Sequence, residues 1–117
     1  DFKINIIKIN PEQKTKNILF EIIDEKGVKI SQISLIGTGY KIKIENDKVY
    51  TLIVKGDTNS DGKANIEDIL RINKHRLNKV KLTEEYLLAA DVNKDEKVNI
   101  IDILKINKFR LRKTNQL

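Results

Sequence analysis

The sequence contains no cysteine, methionine or tryptophan and only one proline, and aromatic residues make up 5% of its 117 residues. The absence of cysteine excludes disulfides and thiolate metal sites, although it does not reveal the cellular compartment. No apolar run approaches the roughly 18–20 residues of a membrane span, so we expect no membrane insertion. The opening residues, DFKINIIKIN, lack the layout of a signal peptide, and we expect the chain to be a segment of a longer polypeptide.

Charged residues are abundant, at 34% of the chain, and the net charge is +6. The basic residues are scattered over both halves with few aromatic residues between them, which favours a solvated lysine-rich surface over a nucleic-acid site. The modest apolar content, mainly Ile, Leu and Val, suggests that a bound metal adds stability. Bound cations would make the protein still more basic and would favour an acidic partner surface.

The first 55 residues contain no repeat, and their patterns predict a small α+β module. Residues 15–24 place Ile18, Leu19, Ile22 and Ile23 at helical spacing behind Thr15, although a strand remains possible there because β-branched residues are frequent. Gly37-Thr38-Gly39 is interpreted as a turn and not as a phosphate loop. The predicted strands cover residues 2–9, 28–35, 40–45 and 48–54.

The second half contains two copies of one motif. Residues 57–68 read DTNSDGKANIED and residues 91–102 read DVNKDEKVNIID, and the similarity continues without gaps to residues 77 and 111. A short helix is predicted between the copies, opening at Thr83-Glu84-Glu85. Because no linker separates the last strand from Asp57, we expect residues 1–55 and 56–117 to be two domains packed together.

Each copy places oxygen-bearing side chains at loop positions 1, 3, 5, 9 and 12, and position 7 supplies a backbone carbonyl. This is the ligand pattern of an EF-hand calcium loop, with Asp in place of the usual Glu at position 12. A single copy could equally be an Asn/Asp-rich turn before an N-capped helix, but two copies in phase favour two calcium sites. The predicted ligands are Asp57, Asn59, Asp61, Lys63, Asn65 and Asp68 in the first copy, and Asp91, Asn93, Asp95, Lys97, Asn99 and Asp102 in the second.

Position 6 differs between the copies, being Gly62 in the first and Glu96 in the second. The turn at this position favours a positive φ, which costs a residue other than glycine about 1–2 kcal/mol. We therefore expect both loops to bind calcium, with the second weaker by about one order of magnitude.

Two loop-helix units at this spacing resemble the dockerin domain of bacterial cellulosomes and related surface complexes. The resemblance covers residues 56–112. The preceding stretches SLIGTGYKIKI and KVYTLIVKGD are similar to the X-module that precedes dockerins in clostridial surface proteins. The implied fold is an α+β X-module-like domain of about four strands and one helix, packed on an all-α C-terminal dockerin with two EF-hand-like repeats.

The resemblance also implies two bound Ca²⁺ ions that are required for folding, and a cohesin domain as partner. The near-identity of the two helices permits two docking orientations, while the mismatch between Glu67 and Ile101 favours the second helix. The apolar residues at positions 10 and 11, where many dockerins carry Ser-Thr, indicate a more apolar interface. The residues implied to contact the partner are Ile66, Glu67, Asn73, Lys74 and Leu77 in the first copy, and Ile100, Ile101, Asn107, Lys108 and Leu111 in the second.

Other features indicate packing and not catalysis. We expect Ile69, Leu70, Ile103 and Leu104 to lie in the core of the helix pair. His75, the single histidine, is interpreted as a packing residue, and the aspartates are committed to the loops, so no catalytic set is predicted.

The sequence therefore predicts a non-enzymatic, secreted, cell-surface-associated module, monomeric before docking, that anchors a larger protein to the cohesin of a scaffoldin or partner enzyme. The main alternative is a calcium-stabilised structural module at the C-terminus of a surface protein, with no cohesin partner. A calcium sensor and a nucleic-acid binder are weaker alternatives.

Overall fold

The computed structural model describes residues 6–14, 21–30, 34–44 and 48–117. A sheet comes first in the chain and helices follow. The strands are β1 (Ile6–Ile9), β2 (Glu21–Ile23), β3 (Lys41–Ile44) and β4 (Lys48–Val54). The helices are α1 (Ile66–Arg76), α2 (Glu85–Ala90) and α3 (Ile100–Arg110).

The sheet has the order β1-β4-β3-β2, with β1 parallel to β4 and the other pairs antiparallel. Alternate residues of a strand point to opposite faces, and on one face Ile22, Ile42, Leu52 and Val54 are buried around Ile36. The central strand β4 therefore carries much of this core, and its C-terminal end leads directly into the first repeated loop.

The helices enclose a second cluster of buried side chains. α1 packs on α3, which brings the corresponding residues Ile72 and Ile106 together at the centre with Phe109. Leu82 and Ala90 close the cluster from the segment between the two repeats, and Val92 closes it from the second loop. The repeated helices thus build one core between them.

The predicted fold, an all-α dockerin packed on a separate N-terminal α+β module, is wrong. The sheet occupies residues 6–54, the three helices come later, and the described part of residues 6–54 contains no helix. Hydrogen bonds also join the two regions, because the Glu12 N–H donates to the Gly62 carbonyl at 2.7 Å and the Leu117 N–H donates to Asn10 Oδ1 at 3.1 Å. The division at residues 55 and 56 stays a prediction.

Two local predictions in the N-terminal region are also wrong. Part of the predicted helix over residues 15–24 forms β2 instead, since Ile22 is buried in register with Ile42 of the neighbouring strand; residues 15–20 lie outside the described residues. The predicted strand over residues 28–35 has only isolated bridges, at Lys29 and Leu35, within its described part. The strand at residues 48–54 is confirmed, as is the turn at Thr38-Gly39.

Among the described residues, no helix is both long enough and apolar enough to cross a membrane.

Candidate metal centres

Each repeated loop brings three carboxylates to one point. Carboxylate oxygens of Asp57, Asp61 and Asp68 lie within 4.8 Å of one another, and those of Asp91, Asp95 and Asp102 do the same. In both loops these are positions 1, 5 and 12. Both clusters are built by residues that the sequence predicted as ligands.

Backbone N–H groups fix the carboxylate at position 1 of the first loop. Asp57 Oδ2 accepts from the Gly62 N–H at 2.9 Å, and Oδ1 accepts from the Asn59 and Asp61 N–H groups at 3.3 and 3.2 Å. These bonds wrap the loop around the side chain, so residues 57–62 turn tightly with Asp57 at the centre.

The second loop repeats this pattern. Asp91 Oδ2 accepts from the Glu96 N–H at 2.8 Å, and Oδ1 accepts from the Asp95 N–H at 3.2 Å. At position 5, the aspartate accepts from the N–H of the lysine two residues later. The distances are 2.9 Å from Lys63 to Asp61 and 3.0 Å from Lys97 to Asp95. The two loops therefore share one backbone shape despite their different sequences.

Position 12 belongs to the loop and to the helix. Asn65 caps α1 by accepting from the Glu67 N–H at 3.1 Å, while Asp68 Oδ2 accepts from the Asn65 N–H at 2.9 Å. Asn99 and Asp102 cap α3 in the same way. This capping box places the position-12 carboxylate in the first helical turn, where the helix dipole favours negative charge.

The asparagines at position 3 are oriented differently in the two loops. The Asn59 amide donates to Glu67 Oε2 at 3.1 Å, whereas the Asn93 amide donates to Asp95 Oδ2 at 3.3 Å. Both bonds leave the amide oxygen on the loop side, where it accepts from the N–H of position 5. Ligation by Asn59 and Asn93, by the Lys63 and Lys97 carbonyls and by Asn65 and Asn99 stays a prediction.

Backbone angles confirm the predicted turn at position 6. Gly62 has φ 80° and Glu96 has φ 67°, and position 4 also has a positive φ in both loops, at Ser60 and Lys94. Glu96 therefore adopts the left-handed conformation that its position requires, with the strain expected of a residue other than glycine.

The first loop is buried beneath a segment of the N-terminal region, residues 35–40, which we call the covering segment. The Thr38 N–H donates to Asp57 Oδ2 at 3.0 Å, and the Ser60 hydroxyl donates to the Thr38 carbonyl. The Ser60 hydroxyl also lies 2.9 Å from the hydroxyl of Tyr86 in α2. Asp57 is fully buried as a result, whereas its counterpart Asp91 is half-buried and residues 94–97 are exposed; Asp68 and Asp102 are fully buried in both loops.

Burial raises the proton affinity of the first cluster in the absence of a cation. It raises the pKa of Asp57 to about 6, against the opposing effect of the hydrogen bonds from Thr38 and Gly62. Burial also raises the pKa of Asp68 to about 7, and the charges of Asp57 and Asp61 add to the shift. Three ionised carboxylates at this site are therefore costly unless a positive charge accompanies them.

In the second cluster, the pKa values of two aspartates are shifted in opposite directions. Burial raises the pKa of Asp102, and the charges of Asp91 and Asp95 contribute. The hydrogen bond from the Lys97 N–H lowers the pKa of exposed Asp95. Water therefore compensates part of this cluster's charge, in contrast to the first.

The donor set fits a hard divalent cation. Carboxylate and amide oxygens are the ligands that calcium prefers, and it takes about six to eight of them at about 2.3–2.6 Å. The convergence of three carboxylates, each pre-oriented by backbone N–H groups, supplies the charge and the fixed geometry that such an ion needs. Either acidic cluster could hold one ion.

A comparison with known proteins finds a family match over the region that contains both loops. Residues 55–109 match the family model of the dockerin type I domain. The match supports a dockerin domain here, and we call these residues the matched segment. No curated protein and no solved structure matches the chain.

Dockerin domains bind calcium and cohesin partners, act as docking modules and not as catalysts, and are typical of extracellular cellulosome proteins. The segment includes both acidic clusters and all of α1 and α2, and it ends within α3.

The predicted partner-contacting residues lie on accessible parts of α1 and α3 and at their C-caps. Their apolar members Ile66, Leu77, Ile100, Ile101 and Leu111 are exposed, as are Glu67, Lys74 and Lys108, while Asn73 and Asn107 are half-buried. Their contact with a partner stays a prediction.

Two residues predicted to be core are not. Leu70 and Leu104 are exposed, whereas their neighbours Ile69 and Ile103 pack against the core as expected. One residue step rotates a helical side chain by about 100°, so two adjacent apolar residues cannot both face the narrow seam between α1 and α3. His75 has a structural contact, because its Nδ1 accepts from the Leu82 N–H at 3.0 Å.

Proposed function

We propose that this protein is a calcium-dependent docking module that anchors a secreted enzyme or surface protein to a cohesin domain. It takes two Ca²⁺ ions, one in each repeated loop. The observation that carries this proposal is the pair of convergent carboxylate clusters, each leading into a capped helix, within a segment that matches the dockerin family.

Calcium acts here on the helices through position 12. Asp68 and Asp102 each join a loop cluster to the first turn of α1 or α3. An ion bound by the cluster neutralises carboxylates that would otherwise repel, so binding and folding of the helix start are coupled. The partner is then bound by the outward faces of α1 and α3.

The outward faces carry the proposed contacts. The residues that we propose to contact cohesin are Ile66, Glu67, Asn73, Lys74 and Leu77 on α1 and its C-cap, and Ile100, Ile101, Asn107, Lys108 and Leu111 on α3 and its C-cap. Loop positions 10 and 11 are both apolar in the second copy, Ile100 and Ile101, whereas the first copy has Ile66 and Glu67 there, and this difference favours α3 as the preferred face.

Chelation tests both parts of this proposal. The full chain is passed over each cohesin of its source organism with calcium and then with excess chelator, while circular dichroism follows the helices. We expect one or more cohesins to retain the chain in calcium only, with loss of binding and of helical signal at the same chelator concentration. Binding that survives complete chelation would contradict the proposal.

A structural role without a cohesin is the second candidate. The covering segment lies directly on the first loop, so an ion bound there would stabilise the sheet and the helices together. The same cohesin screen separates the candidates. A calcium-stabilised cap without docking function would bind no cohesin although its unfolding temperature still rose with calcium.

A further inference from the structure

The first loop contains the dipeptide Asp61-Gly62, where the second loop has Asp95-Glu96. An aspartate followed by glycine is open to attack on its side-chain carboxyl by the next backbone nitrogen, because glycine has no Cβ atom to crowd the ring that forms. A glutamate side chain obstructs the same approach. The two loops therefore differ in chemical durability as well as in backbone strain.

The reaction at such a pair exchanges one backbone link for another. The Gly62 nitrogen bonds to Asp61 Cγ, and the carboxyl hydroxyl leaves with the amide proton as water, which gives a cyclic succinimide. Water then opens the ring. Attack at Cγ restores aspartate, whereas attack at the main-chain carbonyl of Asp61 leaves the glycine attached to Cγ, which is isoaspartate. One water is released and one is consumed, so no other reactant is needed.

The folded loop holds both reacting groups in other bonds. The Gly62 N–H donates to Asp57 Oδ2 at 2.9 Å, and Asp61 Oδ1 accepts from the Lys63 N–H at 2.9 Å. Gly62 is also buried, so water does not readily replace Asp57 as the partner of its N–H. Attack on Asp61 Cγ therefore requires the loop to open first.

The N-terminal region resists this opening. The Glu12 N–H donates to the Gly62 carbonyl at 2.7 Å, so Gly62 is held through both its N–H and its carbonyl. The covering segment packs on the same residue, because a Cβ atom on Gly62 would lie 2.8 Å from the Ile36 carbonyl oxygen. Gly62 cannot turn towards the carboxyl of Asp61 while these contacts stay in place.

We propose that Asp61-Gly62 is a modification site, at which Asp61 converts to isoaspartate when the first loop opens, and that calcium and the covering segment protect it by keeping the loop closed. The part played by calcium rests on the proposed ion in the first loop and not on docking to a cohesin.

Isoaspartate disables the first loop and spares the second. It adds one carbon to the main chain between positions 5 and 6 and leaves the free carboxylate directly on Cα. The position-5 carboxylate is thereby removed from its cluster with Asp57 and Asp68, and the Gly62 N–H is moved away from Asp57. A chain that spends time without calcium therefore loses its first site progressively.

Ageing of the full chain with and without calcium tests this inference. The chain is incubated at neutral pH in calcium or in excess chelator and then digested. The peptides that carry residues 61 and 95 are sequenced by electron-transfer fragmentation, which distinguishes isoaspartate from aspartate. Asp95 is the internal control, since it has the same loop position without a following glycine. Glu96→Gly is the matched variant, because it places the same dipeptide in the exposed part of the second loop.

We expect isoaspartate at residue 61 to accumulate about tenfold or more faster in chelator than in calcium, because the rate follows the fraction of molecules in which the loop is open. Residue 95 of the unchanged chain should stay at background in both conditions. In calcium, residue 95 of Glu96→Gly should isomerise about threefold or more faster than residue 61 of the same chain, since the covering segment protects only the first loop. Calorimetry should show that the aged chain binds one Ca²⁺ fewer than the fresh chain.

An absence of isoaspartate at residue 61 in chelator would overturn the modification site itself. Equal rates at residue 61 with and without calcium would overturn its protection by the ion. Equal rates at residues 61 and 95 of Glu96→Gly in calcium would overturn protection by the covering segment. Calorimetry of the fresh chain separates these results from a failure of the proposed function, in which the chain would take up no calcium.

Discussion

The two candidate calcium loops have the same internal hydrogen bonds but different surroundings. The covering segment lies against the first loop and buries Asp57, whereas the second loop faces solvent. The difference identifies which bonds belong to the loop itself. The bonds from positions 5 and 6 to position 1 occur in both loops, while the Thr38 bond to Asp57 occurs in one.

The same comparison explains why position 6 differs. A Cβ atom on Gly62 would lie 2.8 Å from the Ile36 carbonyl oxygen and 2.9 Å from Leu35 Cβ. Glu96 has the same positive φ, but its side chain is exposed. Glycine is thus required in the first loop because there is no room for a Cβ atom and because φ is positive. In the second loop, only the conformational cost of a positive φ remains.

The largest expected effect comes from removing the acceptor at position 1. Asp57→Ala should lower the free energy of unfolding in calcium by about 3–5 kcal/mol, because buried N–H groups of Thr38 and Gly62 lose their partner and the ion loses a ligand. Asp91→Ala should cost about 1–3 kcal/mol, since water can replace the lost contacts. Urea unfolding measures both, and equal losses would show that the covering segment adds nothing.

Exchanging the residue types at position 6 should act in opposite directions. Gly62→Ala should destabilise the chain by about 2–4 kcal/mol, since both strain and a close contact oppose it. Glu96→Gly should tighten calcium binding at the second loop by up to about tenfold, because it removes the cost of a positive φ. Calorimetric calcium titration checks the second result. An unchanged affinity in Glu96→Gly would contradict the assignment of a weaker second site to this residue.

The smallest expected effect is the competition between protons and calcium for the carboxylates of the first loop. The folded, metal-free chain has the pKa of Asp57 raised to about 6 and that of Asp68 to about 7, so these groups favour its stability at low pH and lose that contribution as pH rises through those values. Calcium needs both ionised, so lowering the pH from about 7.5 to 6.5 should weaken the first site roughly fourfold. Calcium titrations at the two pH values measure this shift at the first site. A first site insensitive to pH would contradict the raised values.

Local sequence was sufficient to locate the loops, because ligand spacing and helix capping depend on residues within about a dozen positions of one another. The first and last carboxylates of each loop lie close together as expected, Asp57 with Asp68 and Asp91 with Asp102. The helix predicted over residues 15–24 was wrong at β2 because its isoleucine spacing suits either element, and the pairing with β3 decides between them.

The covering segment could not be predicted, since its contact with the first loop joins residues about 20 positions apart through backbone groups that any residue carries. Within the loop sequence, only Gly62 reflects the covering segment, because a side chain at this position would collide with it. Leu70 and Leu104 were misplaced for a related reason, because an Ile-Leu pair does not reveal which member faces the neighbouring helix.

Under the anchoring function proposed above, the parallel pairing of β1 with β4 has a mechanical consequence. Tension that enters at β1 and leaves through the first loop and the docked helices would pull the N-terminal end of β1 and the C-terminal end of β4 in opposite directions. The ladder from Ile6–Thr51 to Ile9–Val54 would then be loaded in shear, with its hydrogen bonds resisting together and not one after another. A sheet placed in this way would transmit force to the docking helices without peeling apart.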